Sequence, residues 1–138
     1  MKFNIYADGE LIGWSEFEMG DPPMGGVAGN FYPMPAYEKA IQPLVWERRD
    51  RYLSRAPQAE NEEYAKDWFA RYYTHTFTIE AEDGHILQQQ GIHFEDFGDL
   101  MPIDGDPYPY EVHLIGVPAD QHHKYFEGHW DAYRALYS

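Results

Sequence analysis

Histidine and carboxylate side chains are the groups in this chain that could do metal chemistry, because the sequence has seven histidines and no cysteine. Neutral imidazoles with Asp or Glu are the usual zinc ligands when thiolates are absent. His122 and His129 would share one face of a helix, but His123 would point away from them, and this spacing matches no established ligand motif. His113 falls in a predicted strand, where a polar neighbour is expected rather than a metal. The other histidines considered are spread along the chain, at His85 and His93.

Motifs for other chemistry are weak or absent in the sequence. Glu95 with Asp96 or Asp99 could supply the acid and base of a glycosidase, but such pairs are common in so acidic a chain. No serine lies in a nucleophile elbow, and the glycine-rich stretch 25–29 lacks the lysine of a phosphate-binding loop. The absence of cysteine also excludes disulfides and thiol nucleophiles. We therefore predict no catalytic residue, no metal ligand and no cofactor, and keep a small metal-dependent enzyme using the C-terminal histidines as the alternative.

A loop over residues 96–110 is rich in Asp, Gly, Pro and Tyr, which is typical of exposed turns. Its aspartates could offer oxygen ligands to Ca²⁺, but the order of residues in an EF-hand is absent. Tyrosines bring a large contact area at small entropic cost, and aspartates supply charge for a basic partner. A second acidic corner, in segment 17–26, contains Asp21. The predicted partner-binding residues are Asp96, Asp99, Asp104, Asp106, Tyr108, Tyr110 and Asp21.

The net charge is the most unusual feature of the composition. The 138 residues include 24 acidic and 10 basic side chains, for a formal charge of -14. Such a field repels nucleic acids and anionic lipids, and it speeds encounters with a basic protein. The same acidity would also keep the protein soluble. Because no long apolar segment is present and the N-terminus begins with a strand pattern, we expect a soluble cytoplasmic protein with no membrane contact.

The strands and helices that position these residues are indicated by an internal sequence repeat between the two halves of the chain. Residues of the first strands recur about 75 positions later. The matched pairs include Phe3 with Phe77, Ile5 with Ile79, Ala7 with Ala81, Asp8 with Asp83 and Gly9 with Gly84. Asp-Gly between alternating apolar residues predicts a β-hairpin in each half. We therefore predict a single domain, residues 1–138, with a pseudo-repeat over residues 1–53 and 75–138.

Helical patterns complete each predicted unit. Residues 37–52 and 126–137 carry apolar stripes at helical spacing, and a linking helix is predicted near residues 59–73. Pro43 predicts a kink or break near Ile41 in the first of these helices. The predicted fold is α+β, a tandem β-β-β-α repeat with an antiparallel sheet of about six strands and helices packed on one face. An open edge of that sheet would allow a homodimer, so a structural homo-oligomeric module is a further alternative.

The N-terminal third resembles a group of known proteins. The run from Asp8 to Ser15, followed by Phe17 and then by residues 21–25, resembles small uncharacterised bacterial proteins of the polymorphic-toxin immunity type. The resemblance implies a short acidic cytoplasmic protein that binds a cognate toxin and blocks its active site. It carries over no residue roles and no toxin identity. Together with the charge, it favours a non-catalytic protein that binds a basic partner such as a toxin.

Overall fold

A computed structural model describes residues 1–54, 61–100 and 109–137. Within these ranges the chain forms strands, five α-helices and a short 3-10 helix. The strands are β1 (Phe3–Ala7), β2 (Glu10–Ser15), β3 (Met19–Asp21), β4 (Gly26–Asn30), β5 (Tyr32–Pro33), β6 (Phe77–Glu80), β7 (Ile86–Leu87), β8 (Gly91–Asp96) and β9 (Tyr110–Ile115). The helices are α1 (Pro35–Ala40), α2 (Gln42–Leu53), α3 (Glu62–Tyr72), α4 (Ala119–Tyr125) and α5 (Glu127–Leu136), with the 3-10 helix at Pro22–Met24.

The strands form two antiparallel sheets, which confirms the α+β class. The first sheet has five strands in the order β5-β2-β1-β6-β7, and the second has four in the order β3-β4-β9-β8. The prediction of one sheet of about six strands is wrong, because the chain changes sheets directly after β2. Phe17 is fully buried with a positive φ of 46°, and its N–H donates to the Ser15 hydroxyl. This bend sends β3 into the second sheet.

The two halves of the chain hold more elements than the predicted β-β-β-α units. The first half has five strands and two helices, and the second half has four strands and two helices. The predicted break near Ile41 is confirmed, since α1 ends at Ala40 and Pro43 lies in the first turn of α2. The helix predicted near residues 59–73 is α3.

Each Asp-Gly turn forms the hairpin that it predicts. At the β1–β2 turn Asp8 and Gly9 have φ values of 54° and 81°, as a two-residue hairpin turn requires. The Asp8 carboxylate also accepts the N–H of Thr76 at 2.9 Å and contacts the His75 ring at 2.7 Å. These two hydrogen bonds hold the pKa of Asp8 below its usual value. The first turn is therefore tied to the start of β6, which pairs with β1.

Aromatic side chains join the two sheets. The ring of Phe94 from β8 lies 5.0 Å from that of Phe31 and 6.0 Å from that of Phe77 on β6. At another point in the core, Phe126, between α4 and α5, stacks on Phe3 of β1 at 5.2 Å. Each of these side chains except that of Phe77 is at most 4% exposed. Burial of this aromatic cluster is the main source of stability expected for the fold.

The helices contact both sheets, so the prediction that they cover one face of a single sheet is wrong. Helix α1 packs on β2 of the first sheet, whereas α2 packs on β8 and α5 on β3 of the second. Among the helices of the described ranges, none is both long and apolar enough to cross a membrane.

Truncation of Phe94 tests the role of this aromatic cluster. We expect Phe94→Ala to lower the free energy of unfolding by about 3–5 kcal/mol, because it leaves a cavity between the sheets. The control is Ile86→Ala on β7, whose side chain is 47% exposed and should cost about 1 kcal/mol or less. Urea denaturation measures both values, and similar losses for the two variants would contradict the packing described.

Candidate functional site

Two histidines and two glutamates lie together on the outer face of the four-stranded sheet. In the antiparallel register of β8 and β9, His93 is opposite His113 and Glu95 is opposite Glu111. Successive side chains of a strand point to opposite faces, and the intervening residues of both strands face the core. The four polar side chains therefore share one face, and we call them the imidazole–carboxylate cluster.

The atoms of this cluster are close enough to act on one ligand. His113 Nε2 lies 2.8 Å from an oxygen of Glu111 and 4.0 Å from one of Glu95. One ligand atom from each of these three residues lies within 4.8 Å of the other two. His93 Nε2 lies 3.8 Å from the same Glu95 oxygen. His113 Nε2 is shielded from solvent, and its 2.8 Å contact with Glu111 lacks the geometry of a hydrogen bond.

The electrostatics of the cluster favour a cation. Like charges placed opposite each other on neighbouring strands destabilise a sheet, and Glu95 faces Glu111 in this way. The neighbouring imidazoles offset part of that repulsion. The interaction with His93 holds the pKa of Glu95 below its usual value, with a further contribution from His113, although burial acts in the opposite direction. A positively charged ligand would offset the remaining repulsion between Glu95 and Glu111.

An open groove of about 450 Å³ runs beside the cluster, and we call it the acidic groove. Exposed apolar side chains rim the groove; Met24 is 74% exposed and Ile115 is 57% exposed. Among its described lining residues there is no lysine or arginine. The groove therefore combines negative charge with apolar walls. The side chains that define it are Met19, Asp21, Met24, Glu95, His113 and Ile115.

A second groove of about 580 Å³ lies on the other side of β8, between this strand and helices α2 and α3. Arg48, Arg49 and Tyr52 line it together with Trp68 of α3. His93 and Glu95 line both grooves. The cluster is therefore open to ligands from two sides.

Side chains from the helices hold the outer edge of β8. The hydroxyl of Tyr72 donates to the carbonyl of Ile92 at 2.8 Å, and Nη1 of Arg49 donates to the carbonyl of Asp96 at 2.8 Å. These bonds satisfy backbone groups that an edge strand would leave open to another chain. They also fix the strand that carries His93 and Glu95.

Asp96 has a different place from the one predicted. Its side chain is 1% exposed and accepts hydrogen bonds from the Tyr37 hydroxyl at 2.7 Å, Gln42 Nε2 at 2.9 Å and the Gly98 N–H at 2.9 Å. Burial and the nearby Asp96 raise the pKa of Tyr37. Asp96 is thus engaged inside the fold and offers no surface to a partner.

The other predicted partner-binding residues lie in different parts of the structure. Asp99 is held by Arg49 Nη1 at 2.6 Å, and this hydrogen bond holds the pKa of Asp99 below its usual value. Tyr110 packs against the core, and its hydroxyl leaves no room for a side chain at Gly98. Asp21 lines the acidic groove. The remaining predicted residues lie outside the described part of the chain: Asp104, Asp106 and Tyr108.

The C-terminal histidines of the metal alternative are packing residues. His122 is fully buried, with Nε2 3.1 Å from the carbonyl oxygen of Gly26. His123 stacks on Trp130 at 4.0 Å, and His129 stacks on Phe126 at 5.2 Å. Burial lowers the pKa of His129. In the described ranges, the ligand-type residues that converge are those on β8 and β9 instead.

A pattern in the sequence could have indicated the cluster. The chain contains His93-x-Glu95 and Glu111-x-His113, which are reversed copies of one spacing on two segments with strand propensity. Alternation places both residues of each segment on one face, and antiparallel pairing brings like residues opposite each other. The pattern requires the pairing of β8 with β9, which the sequence alone does not specify.

Comparison of the chain with protein-family models, with curated proteins and with solved structures finds no match to any of them.

Replacement of Asp96 tests its position inside the fold. We expect Asp96→Ala to lower the free energy of unfolding by about 3 kcal/mol or more, because it leaves buried donors without an acceptor. Asp99→Ala is the control, and should cost about 1 kcal/mol or less because it removes a partly exposed ion pair. Urea denaturation at neutral pH compares the two, and equal small losses would show that Asp96 is not embedded as described.

Proposed function

We propose that this protein is a non-catalytic acidic binding protein whose acidic groove docks a basic protein partner. The observation that carries the proposal is an open groove with carboxylates and apolar walls and no lysine or arginine among its described lining residues. A cationic side chain from another protein would make ionic contacts with the carboxylates of this groove and apolar contacts with its walls. The net charge of -14 would steer such a partner toward the protein.

The chemistry of the groove suits a long basic side chain. Lysine and arginine combine an aliphatic stem with a charged head, and they bury the stem along apolar surface. In the proposed complex the stem lies against Met19, Met24 or Ile115, and the head lies near Glu95. Methionine adapts its shape to different contacts, which favours its use on a recognition surface. Asp21 at the groove's edge is the residue that this proposal shares with the sequence-based prediction.

The partner class follows from the resemblance of the N-terminal third to immunity proteins. On that resemblance the partner is a toxin whose active surface the groove covers in part, and the acidic charge of this chain favours a basic toxin of the nuclease type. Nucleases bind polyanions and therefore carry basic surfaces, which complement an acidic inhibitor. The proposed mode of action is steric and electrostatic, with no reaction catalysed by this chain.

We also propose that the two halves of the chain derive from one duplicated unit. The strand orders support this, because β1 pairs with β6 while β2 and β7 flank them, and β4 pairs with β9 while β3 and β8 flank them. The histidines and glutamates of the cluster belong to the second half alone. At the equivalent place in the first half, Ala28 lies opposite His113 and Asn30 lies opposite Glu111. The cluster would thus have arisen in one copy, whereas the acidic groove draws residues from both halves.

Variants of the groove test the docking proposal once a partner is captured from the native host and purified. The test variant combines Asp21→Asn and Glu95→Gln in the groove with Glu111→Gln in the adjoining cluster. We expect the association rate constant to fall roughly tenfold at low ionic strength, because the local attraction for a basic partner is removed. Surface plasmon resonance at low and high salt measures the change.

A charge-matched variant provides the control. Glu10→Gln, Glu62→Gln and Glu63→Gln neutralise three exposed carboxylates that do not line the groove. The control should keep most of the association rate, because the total charge changes equally while the groove remains intact. Equal rates for both triple variants would show that the groove is not the docking surface. Capture of a partner without a basic surface would also overturn the proposal.

A further inference from the structure

The imidazole–carboxylate cluster has the donor set of a transition-metal site, and this inference does not depend on a protein partner. It offers two imidazoles and two carboxylates from adjacent strands. In a chain without cysteine, nitrogen and oxygen donors of these types suit zinc. We propose that the cluster binds one Zn²⁺ ion, with His113, Glu95 and Glu111 as ligands and His93 as the fourth.

The distances fit a single ion with small adjustments. Zinc bonds of about 2.0–2.2 Å in a tetrahedron place neighbouring ligand atoms roughly 3.3–3.6 Å apart. The observed separations between His113 Nε2 and the oxygens of Glu111 and Glu95 are 2.8 and 4.0 Å, on either side of that value. His93 Nε2 is 3.8 Å from the Glu95 oxygen. Ligand atoms of His113, Glu95 and Glu111 already lie within 4.8 Å of one another, and in the proposed site the half-exposed His93 side chain rotates to supply the fourth ligand.

The backbone beneath the cluster is suited to hold such a site. The four residues stand at directly paired positions on neighbouring strands, so their Cα atoms are fixed by the sheet. Rigid elements position ligands more closely than loops do. Bonds from Tyr72 and Arg49 hold the outer edge of β8. Metal binding would therefore require movement of side chains and not of backbone.

A bound zinc ion would also resolve the charge problem of the cluster. Glu95 and Glu111 face each other, and their ion pairs among the described residues are with His93 and His113. Arg48 and Arg49 line the second groove, which Glu95 also lines. A divalent cation between the carboxylates replaces this repulsion with attraction. The shielded Nε2 of His113, whose contact with Glu111 lacks hydrogen-bond geometry, would gain a bond to the metal. Magnesium and calcium prefer sites built of oxygen ligands alone, so two imidazoles select against them.

Titration of the full chain with zinc tests this proposal. Protein stripped with a chelator is titrated with ZnCl₂ by isothermal calorimetry, and CoCl₂ serves as a spectroscopic substitute. We expect one zinc ion per chain and the strong visible absorption of four-coordinate cobalt. His113→Gln and Glu111→Gln should each weaken zinc binding by about 100-fold or more, since they remove direct ligands, and even outer-shell changes cost 10–100-fold.

Matched variants distinguish this site from other zinc-binding positions. His123→Gln and Glu127→Gln change the same residue types outside the cluster and should leave the affinity within about twofold of wild type. Far-UV circular dichroism and urea midpoints verify that all four variants are folded. The proposal is overturned if zinc does not bind at one per chain, if the cobalt complex has the weak spectrum of six-coordination, or if the cluster variants bind as wild type does. Each of these measurements uses the protein without a partner, so its outcome is independent of the docking test.

Discussion

The antiparallel register between β8 and β9 is the constraint on which the candidate site depends. It sets Phe94 opposite Val112 on the core side, and on the outer side it pairs His93 with His113 and Glu95 with Glu111. A shift of one residue in either strand would turn its polar side chains toward the core and its apolar ones toward solvent. Burial of the apolar set therefore determines the geometry of the polar set. The free-energy cost of exposing the core side chains keeps the like charges of Glu95 and Glu111 facing each other on the surface.

Interactions at both ends of β8 reinforce this register. Asp96, at the end of the strand, is held inside the fold by Tyr37, Gln42 and the backbone of Gly98. Near the other end, the Tyr72 hydroxyl binds the carbonyl of Ile92. The aspartate that the sequence suggested as a partner contact thus contributes by fixing the strand that carries the site. Both proposals, a basic partner and a zinc ion, draw on the carboxylate of Glu95 that this fixed strand presents, so the two ligands would compete for it.

Local features of the fold were predictable because local chemistry determines them. Asp8, Gly9 and Gly84 specify their turns through positive φ angles, and Pro43 specifies the break between α1 and α2. The division into two sheets was not predictable, because it depends on Phe17 adopting a positive φ that its residue type disfavours and that burial stabilises. The cluster was missed for a related reason. Alternation shows which residues of a strand share a face, but only strand pairing shows which residues of two strands meet.

The most direct test of this account is nuclear magnetic resonance of the isotopically labelled protein. Phe94 and Val112 face each other across the two strands, so a nuclear Overhauser effect between their α protons reports the register. The observed register predicts a strong effect between Phe94 and Val112. A strong effect between Phe94 and either Glu111 or His113 instead would place the pairing one residue away. In that register the imidazoles and carboxylates would not meet, and the site described would not exist.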